Sequence, residues 1–486
     1  MAEPEEFEFS LKVMMFKERN KVLYAAVDSD FADVLLSFLT LPLGTIVRLL
    51  NKHYGDKAPI LGSLNSLYAC LQNMDDTHFW AEAGKLMLLN PRNSSEIECS
   101  RLKLQIDDTS PTRYFICPKW NCVSMYYQMR CLCPDSTYTD ITKNVLEIGA
   151  PSGGKSGVFT AQTSSFILTD DMEILTNSPA SILRILKLNG VKDTSALQER
   201  TLNVGLKEIM ELLKGSLVSK TPLSDIVFSV SSVAATLHET KRFFAPVKCE
   251  SDALLRDQTI QNSGSDSKKI TLKVFVQKST NRFLLAQARN DFVDFLFSLL
   301  IIPLGRLQFI LGNNSYLGSI KSLYTSISNL EIVECMKSKE AITRLLEPQI
   351  PPYYLSCFQI FSLDQQRYPI INRNKNNRRS FKLLGSTSSG FGCVQMAMID
   401  PKGQNSFIKG PTLFIVSDDL VVSTAASASI ISTLDRMKIP ISDVEEQEIG
   451  IGMEEALSIL KASISSTRAL SDGLKPFLMK QPKQEK

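Results

Sequence analysis

The chain has 486 residues, of which 44 % are apolar and 22 % are charged. These are the proportions of folded globular proteins, and they exclude a chain that is disordered throughout. The formal net charge is only +3, so the total charge gives no reason to expect nucleic acid or a membrane surface as the partner.

The first ten residues, MAEPEEFEFS, are acidic and lack the basic and apolar regions of a secretory signal. The longest apolar stretch, residues 292–305, contains Asp294 and Pro303. It is shorter than the ~18 residues that a membrane span requires, so we expect a buried helix and no membrane. Ten cysteines without a secretory signal predict reduced thiols. The expected location is the cytoplasm, with the nucleus as the alternative.

The predicted elements begin with a β-hairpin, because LKVMMF and KVLYAAV flank a polar turn. A helix is then expected to start at Asp30, with Asp33 as an acid of its first turn, and to kink or end at Pro42 and Gly44. Residues 166–174, FILTDDMEI, predict a strand, an acidic turn and a second strand.

Further along the chain, Ser178 and Pro179 have the N-cap and first-turn pattern of a helix that continues to Leu188. Residues 205–217, GLKEIMELLKGSL, place apolar side chains on one helical face. Hairpins interleaved with helices predict an α+β fold, with mixed sheets packed against helices.

The sequence contains an internal repeat. The 34 residues from Leu11 align without a gap with the 34 residues from Leu272, and 16 positions are identical. Later segments match in the same order, including LGSLNSLY with LGSIKSLY and FILTDDMEI with FIVSDDLVV. We therefore expect two tandem homologous domains. The predicted division is a tail (1–8), a first repeat (9–230) with a cysteine-rich insert (112–138), a linker (231–269), a second repeat (270–475) and a tail (476–486).

These repeated segments resemble the plant family catalogued as domain of unknown function 674. The resemblance rests on the initial LKV, on DFADVLLSFLTLPLG, LGSLNSLY and the FxxTDD turn, and on the closing KGSLVSKTPLSD. It covers nearly the whole chain twice. The resemblance implies a plant source and a paired architecture, and it implies no activity and no catalytic residues.

Residues 149–156, GAPSGGKS, match the pattern of a phosphate-binding loop, with Gly149, Gly154, Lys155 and Ser156 at the defining positions. Such a loop must be followed by a helix whose amides complete the anion site. The next residues, GVFTAQTSSF, favour a strand, and the second repeat lacks the Gly-Lys-Ser sequence. We interpret the match as accidental and expect no nucleotide cofactor.

Four cysteines, Cys117, Cys122, Cys131 and Cys133, form the strongest chemical signal, with the spacing C-x4-C-x8-C-x-C. Four thiolates can hold one structural zinc ion. The alternative is that the thiols pack as small apolar groups. In the second repeat only Cys357 remains, at the position of Cys117.

Three other patterns are interpreted as structural. The acidic pairs in TDD (169–171) and SDD (417–419) could bind a divalent cation, but they also suit turns. The basic stretch 371–380 could contact nucleic acid, but it lacks interleaved aromatic residues and suits an exposed loop. None of the histidines, His53, His78 and His238, recurs in the other repeat.

The sequence therefore predicts a non-enzymatic interaction or scaffold protein with an unidentified protein partner and one structural zinc. Two alternatives stay open. One is a zinc-bearing nucleic-acid-associated protein, which needs the cysteines and residues 371–380 on one face. The other is a nucleotide-dependent enzyme that uses Lys155.

Overall fold

The structure is a computed structural model. It describes residues 7–117, 122–127, 139–142, 145–147, 157–162, 164–231, 269–312, 317–367, 370–374, 381–384, 393–424, 431 and 434–478. Helices and mostly antiparallel strands alternate along these residues, so the fold class is α+β, as the sequence predicts. No helix of the described part is both long and apolar enough to cross a membrane.

The described strands, in chain order, are β1 (Phe9–Phe16), β2 (Lys21–Asp28), β3 (Phe115–Ile116), β4 (Cys122–Ser124), β5 (Thr139–Asp140), β6 (Val145–Glu147), β7 (Ser165–Thr169), β8 (Ile174–Thr176), β9 (Leu197–Val204), β10 (Ile270–Gln277), β11 (Arg282–Arg289), β12 (Ile370–Asn374), β13 (Phe381–Leu384), β14 (Cys393–Gln395), β15 (Ala397–Met398), β16 (Leu413–Val416), β17 (Val422–Thr424) and β18 (Val444–Ile451).

The α-helices that the structure describes from end to end are α1 (Ser29–Ser37), α2 (Leu43–Tyr54), α3 (Leu64–Asn73), α4 (Glu82–Leu89), α5 (Glu96–Cys99), α6 (Pro179–Leu188), α7 (Leu206–Val218), α8 (Pro222–Ser231), α9 (Asn290–Ser298), α10 (Leu304–Leu311), α11 (Ile320–Ser326), α12 (Leu330–Cys335), α13 (Lys339–Leu346), α14 (Met453–Ser465) and α15 (Ala469–Leu478).

Two five-stranded sheets repeat one topology. The order is β8-β7-β2-β1-β9 in the first half of the chain and β17-β16-β11-β10-β18 in the second half. Each sheet is built on the predicted hairpin, and the turn residues Asn20 and Asn281 both adopt a left-handed conformation, with φ of 46° and 55°. Asparagine tolerates this conformation better than most residues, which explains its presence at both turns.

The two large sheets and the helices next to them share one apolar core. Alternate residues of β1, such as Leu11 and Val13, join α1, α2, α9 and α10 in one apolar cluster that includes residues of both halves. The opposite face of the first sheet packs against α6, whose Ile185 contacts the cluster around Phe16 and Leu23. The first large sheet therefore has helices on both faces, and the innermost helices of both halves belong to the shared core.

The two smaller sheets each combine strands of both halves. In the order β15-β4-β3-β5, strand β15 of the second half pairs in parallel with β4 of the first. In the order β14-β12-β13-β6, strand β6 of the first half pairs in parallel with β13 of the second. Each half thus contributes one short strand to a sheet of the other half. The division into two separate domains stays a prediction.

Backbone hydrogen bonds also join equivalent positions across the halves. The Ser63 amide donates to the Ser463 carbonyl at 2.8 Å, and the Ser319 amide donates to the Ser216 carbonyl at 2.9 Å. Gly62, which precedes Ser63, has a φ of 54°, and an added Cβ would lie 2.5 Å from the Ser463 carbonyl oxygen. This close approach requires glycine.

Helix α1 differs from its prediction in three respects. It begins at Ser29, because the Asp28 carboxylate accepts from the Phe31 amide at 2.8 Å and caps it. Asp33 is not an acid of the first turn, in which Asp30 lies, and its exposed fraction is 1 %. Pro42 lies just before α2 and does not kink α1, which ends at Ser37.

Candidate functional site

Two of the four predicted zinc ligands lie opposite each other in a hairpin. Cys117 follows β3 and Cys122 begins β4, and the Cys117 amide donates to the Cys122 carbonyl at 3.1 Å. Directly opposed residues of antiparallel strands place their side chains on the same face. Both residues are buried beside Ala83 and Phe115. Cys131 and Cys133 lie outside the described residues.

No group of three or more His, Cys, Asp or Glu side chains in the described part of the chain is arranged to hold a metal ion. The zinc site therefore stays a prediction.

The phosphate-loop match, including Gly149, Gly154, Lys155 and Ser156, also lies outside the described residues. In the described residues from Gly157 to Ser178 the chain forms β7 and β8 and no α-helix.

The acidic turns are used to fix helices. In the first half, the Asp170 carboxylate accepts from the Ser224 amide and hydroxyl, both at 2.8 Å, near the start of α8. In the second half, the Asp418 carboxylate accepts from the Ser471 amide and hydroxyl, both at 2.7 Å. Burial raises the pKa of Asp170 to about 6. Both turns therefore join the end of a strand to a helix.

A second equivalent pair of carboxylates holds loops, and this role is not among the predictions from the sequence. Asp33 accepts from the amides of Val158, Phe159 and Thr160 at 2.6, 3.0 and 2.8 Å. Asp294 accepts from the amides of residues 407 and 408 at 2.6 and 2.8 Å. The only signal for this role was the recurrence of aspartate at both positions of the repeat.

Each of these loops contacts the other half. The Phe159 carbonyl accepts from the Lys337 amide at 2.8 Å, and the Phe407 carbonyl accepts from the Trp80 amide at 3.2 Å. The carboxylates of Asp33 and Asp294 therefore hold the loops through which the halves meet.

The remaining predicted residues that the structure describes form no cluster. His53 packs against Tyr54, with ring centroids 4.7 Å apart, and His78 packs against Phe414 at 5.6 Å. His238 lies outside the described residues, as do residues 375–380 of the basic stretch.

A cavity of about 460 Å³ lies where the two halves meet. Its volume is within the range of small-molecule sites in proteins. The first half supplies most of the lining, from the segments 92–114 and 125–126, and the second half supplies residues of 351–354 and 366–367. The sequence does not predict this cavity, since its lining comes from loops that are far apart in the chain and share no motif.

Two arginines line the cavity, and Arg92 is the more buried of them, since Arg367 is exposed. The Arg92 guanidinium carbon lies 5.1 Å from the centroid of the Tyr126 ring, within the range of a cation–π interaction. Its Nη2 donates to the Met125 carbonyl at 3.4 Å, and its Nη1 is buried without a hydrogen-bond partner among the described residues. The Tyr126 and Tyr354 hydroxyls lie 3.2 Å apart beside it, and the Arg92 amide donates to the latter at 3.3 Å.

The acidic and thiol groups of the cavity are already engaged. Glu96 accepts from the amide and the hydroxyl of Thr112, both at 2.7 Å. Asp107 accepts from the Thr109 amide at 2.9 Å, and burial raises its pKa. Burial also raises the pKa of the Cys99 thiol to about 12, so this thiol is protonated at neutral pH. These groups suit a binding cavity better than a site of nucleophilic catalysis.

Comparison with protein families matches residues 5–454 to a family described as "Protein of unknown function (DUF674)". No curated protein and no solved structure matches the chain significantly.

Proposed function

The chain belongs to the DUF674 family, and we propose from its geometry that it is a non-enzymatic interaction or scaffold protein. The expected partner is another protein, which the sequence does not identify. The same proposal places the protein in the cytoplasm, with the nucleus as the alternative, because its cysteines suit a reducing compartment.

The observation that carries the proposal is the reciprocal strand exchange between the halves. Strand β15 pairs with β4 and β6 pairs with β13, so each small sheet requires both halves. Two halves joined in this way keep their outer surfaces at fixed positions relative to each other, as a scaffold protein requires.

The buried carboxylates give further support. Asp33, Asp170 and Asp294 direct their oxygens to backbone amides that fix loops and a helix. A general acid or base must lie within hydrogen-bond reach of the substrate proton that it transfers. These three groups instead serve the internal architecture of the protein.

Two measurements on the full-length chain test the proposal. In affinity capture from native tissue followed by mass spectrometry, the folded chain should retain a partner in near-stoichiometric amount, and a heat-denatured sample is the control. In calorimetric titrations with ATP and GTP, the wild type and Lys155→Ala should give the same negligible heats. Micromolar nucleotide binding that Lys155→Ala abolishes would contradict the proposal and favour the enzyme alternative.

We also propose one structural zinc ion, held by Cys117, Cys122, Cys131 and Cys133. The opposed positions of the first two cysteines support it, because their thiols share one face of the hairpin. Elemental analysis should find about one zinc per chain. Cys131→Ser should release the metal, while the control Cys357→Ser, at the second-half position of Cys117, should retain it. Purified protein without zinc would contradict this proposal.

A further inference from the structure

We propose that the cavity around Arg92 is a binding site for a small organic carboxylate with a flat apolar body. Nothing in the family description assigns a ligand to the chain. The inference stands apart from the scaffold proposal, since it rests on the cavity alone.

The charge of Arg92 is the first reason to expect an anionic ligand. Among the described residues, no carboxylate oxygen lies within 4 Å of its guanidinium group, and the partly buried side chain is held by the 3.4 Å bond to the Met125 carbonyl, by the Tyr126 ring and by the more distant charge of Glu96. The buried Arg306 shows the contrast, because its guanidinium lies 3.3 Å from both Glu347 and Asp364. A partly buried cation without a direct ion-pair partner attracts an anion that enters the cavity.

The geometry of the guanidinium group is the reason to expect a carboxylate. Arginine presents parallel N–H groups that match the two oxygens of a carboxylate. At Arg92, the bond of Nη2 is 3.4 Å long and can be exchanged for a bond to a ligand. Nη1 has no partner among the described residues but is buried, so it would have to turn toward the cavity to donate as well. Since one of the paired hydroxyls of Tyr126 and Tyr354 donates to the other, the pair offers one further O–H donor.

The walls of the cavity define the rest of the ligand. Tyr114 and Tyr126 line it together with Ile106, Pro351 and other apolar side chains. Such walls bury a flat apolar body, while the few polar groups set its orientation. The exposed Arg367 lies in the lining on the second half and adds positive charge for attracting an anion from solvent.

The choice of a carboxylate over a phosphate follows from the other charges. Glu96 and Asp107 also line the cavity. They would repel a doubly charged phosphate more strongly than a singly charged carboxylate. The expected ligand therefore carries one negative charge, next to Arg92.

The test uses three probes that share one ring system, which are 2-naphthoate, 2-naphthamide and 2-naphthyl phosphate. Calorimetry on the full-length protein should show saturable binding of 2-naphthoate, weaker binding of the phosphate and no binding of the neutral amide. Arg92→Gln should weaken the binding of 2-naphthoate by about 10- to 100-fold, the range for hydrogen bonds to charged groups. Arg92→Lys retains the charge but loses the parallel donors, and it should weaken binding by about 10-fold.

The control variant is Arg282→Gln, which removes one positive charge from an exposed position outside the cavity and should bind as the wild type does. Circular dichroism verifies that each variant is folded. If Arg92→Gln does not fold, crystals of the wild type with 6-bromo-2-naphthoate locate the bromine by its anomalous signal. Bromine in the cavity supports the proposal. Bromine only elsewhere, equal binding of the amide, tighter binding of the phosphate, or unchanged affinity in folded Arg92→Gln would overturn it.

Discussion

Pro42 and Pro303, which occupy equivalent positions of the two halves, face each other in an isolated antiparallel bridge. On either side of the bridge, the Leu43 amide donates to the Ile302 carbonyl at 3.0 Å and the Leu304 amide donates to the Leu41 carbonyl at 2.9 Å. Reciprocal contacts of this kind are typical of an interface with two-fold symmetry. Here the two partners belong to one chain, and the bridge lies within their shared core.

The first prediction concerns the close approach at Gly62. Its φ is 54°, and an added Cβ would lie 2.5 Å from the Ser463 carbonyl oxygen in the other half. Gly62→Ala should therefore lower the free energy of unfolding by about 3–5 kcal/mol, since it combines backbone strain with displacement of the neighbouring backbone. Urea denaturation followed by circular dichroism measures the change.

The matched control for Gly62→Ala is Gly55→Ala. Gly55 has a similar φ of 55°, but an added Cβ there would have no described atom within 4 Å. This variant should show the cost of backbone strain alone, about 1–3 kcal/mol. Equal destabilisation by the two substitutions would show that the approach to the other half has no energetic importance.

The second prediction concerns the loop held by Asp33. Asp33→Asn would direct an amide N–H₂ group toward amides that now donate to the carboxylate, at residues 158–160. We expect a loss of about 2–3 kcal/mol in the free energy of unfolding, and faster hydrogen exchange in this loop. The control is Asp30→Asn. Asp30 pairs with the half-exposed Lys103, so the change there should stay within about 1 kcal/mol. Similar losses in both variants would refute the anchoring role.

The third prediction concerns pH. Burial raises the pKa of Asp294 to about 6 in the folded protein, against about 3.9 in an unfolded chain. Because the folded pKa is the higher one, the stability contributed by protonated Asp294 is fully present below about pH 4. It is lost as the pH rises to about 6, and it amounts to about 2–3 kcal/mol.

Comparison with Asp294→Asn isolates this contribution from other titrating groups. The stability of the wild type relative to the variant should fall by about 2–3 kcal/mol between pH 4 and pH 7. Urea midpoints at intermediate pH values give the curve. A difference that does not vary with pH would show that Asp294 has the same pKa in both states.

Much of the local fold could be predicted from the sequence, because its signals are local. The helix at residues 179–188 begins where a serine cap and a first-turn proline predict it, and the Ser178 side chain accepts from the Ser181 amide. The turn at 169–171 and the amphipathic helix α7 also follow their patterns. Gapless repetition of residues 11–44 at 272–305 gives equivalent hairpins and helices in both halves.

The relation between the halves could not be predicted in the same way. Strands β6 and β15 have three and two residues, too few for an alternating pattern to show. The role of Asp33 depends on residues 158–160, which are more than 120 positions away. Arg92 has no motif around it, and its importance appears only when Tyr126 and Tyr354 lie beside it in the fold.

Cutting the chain between the halves tests whether they form one interlocked body. A specific protease site is inserted near residue 250, within the segment between α8 and β10, and the purified full-length protein is cleaved there. The two fragments should stay together in size-exclusion chromatography without denaturant, and they should unfold in one urea transition. Fragments that separate in buffer, each still folded by circular dichroism, would contradict it.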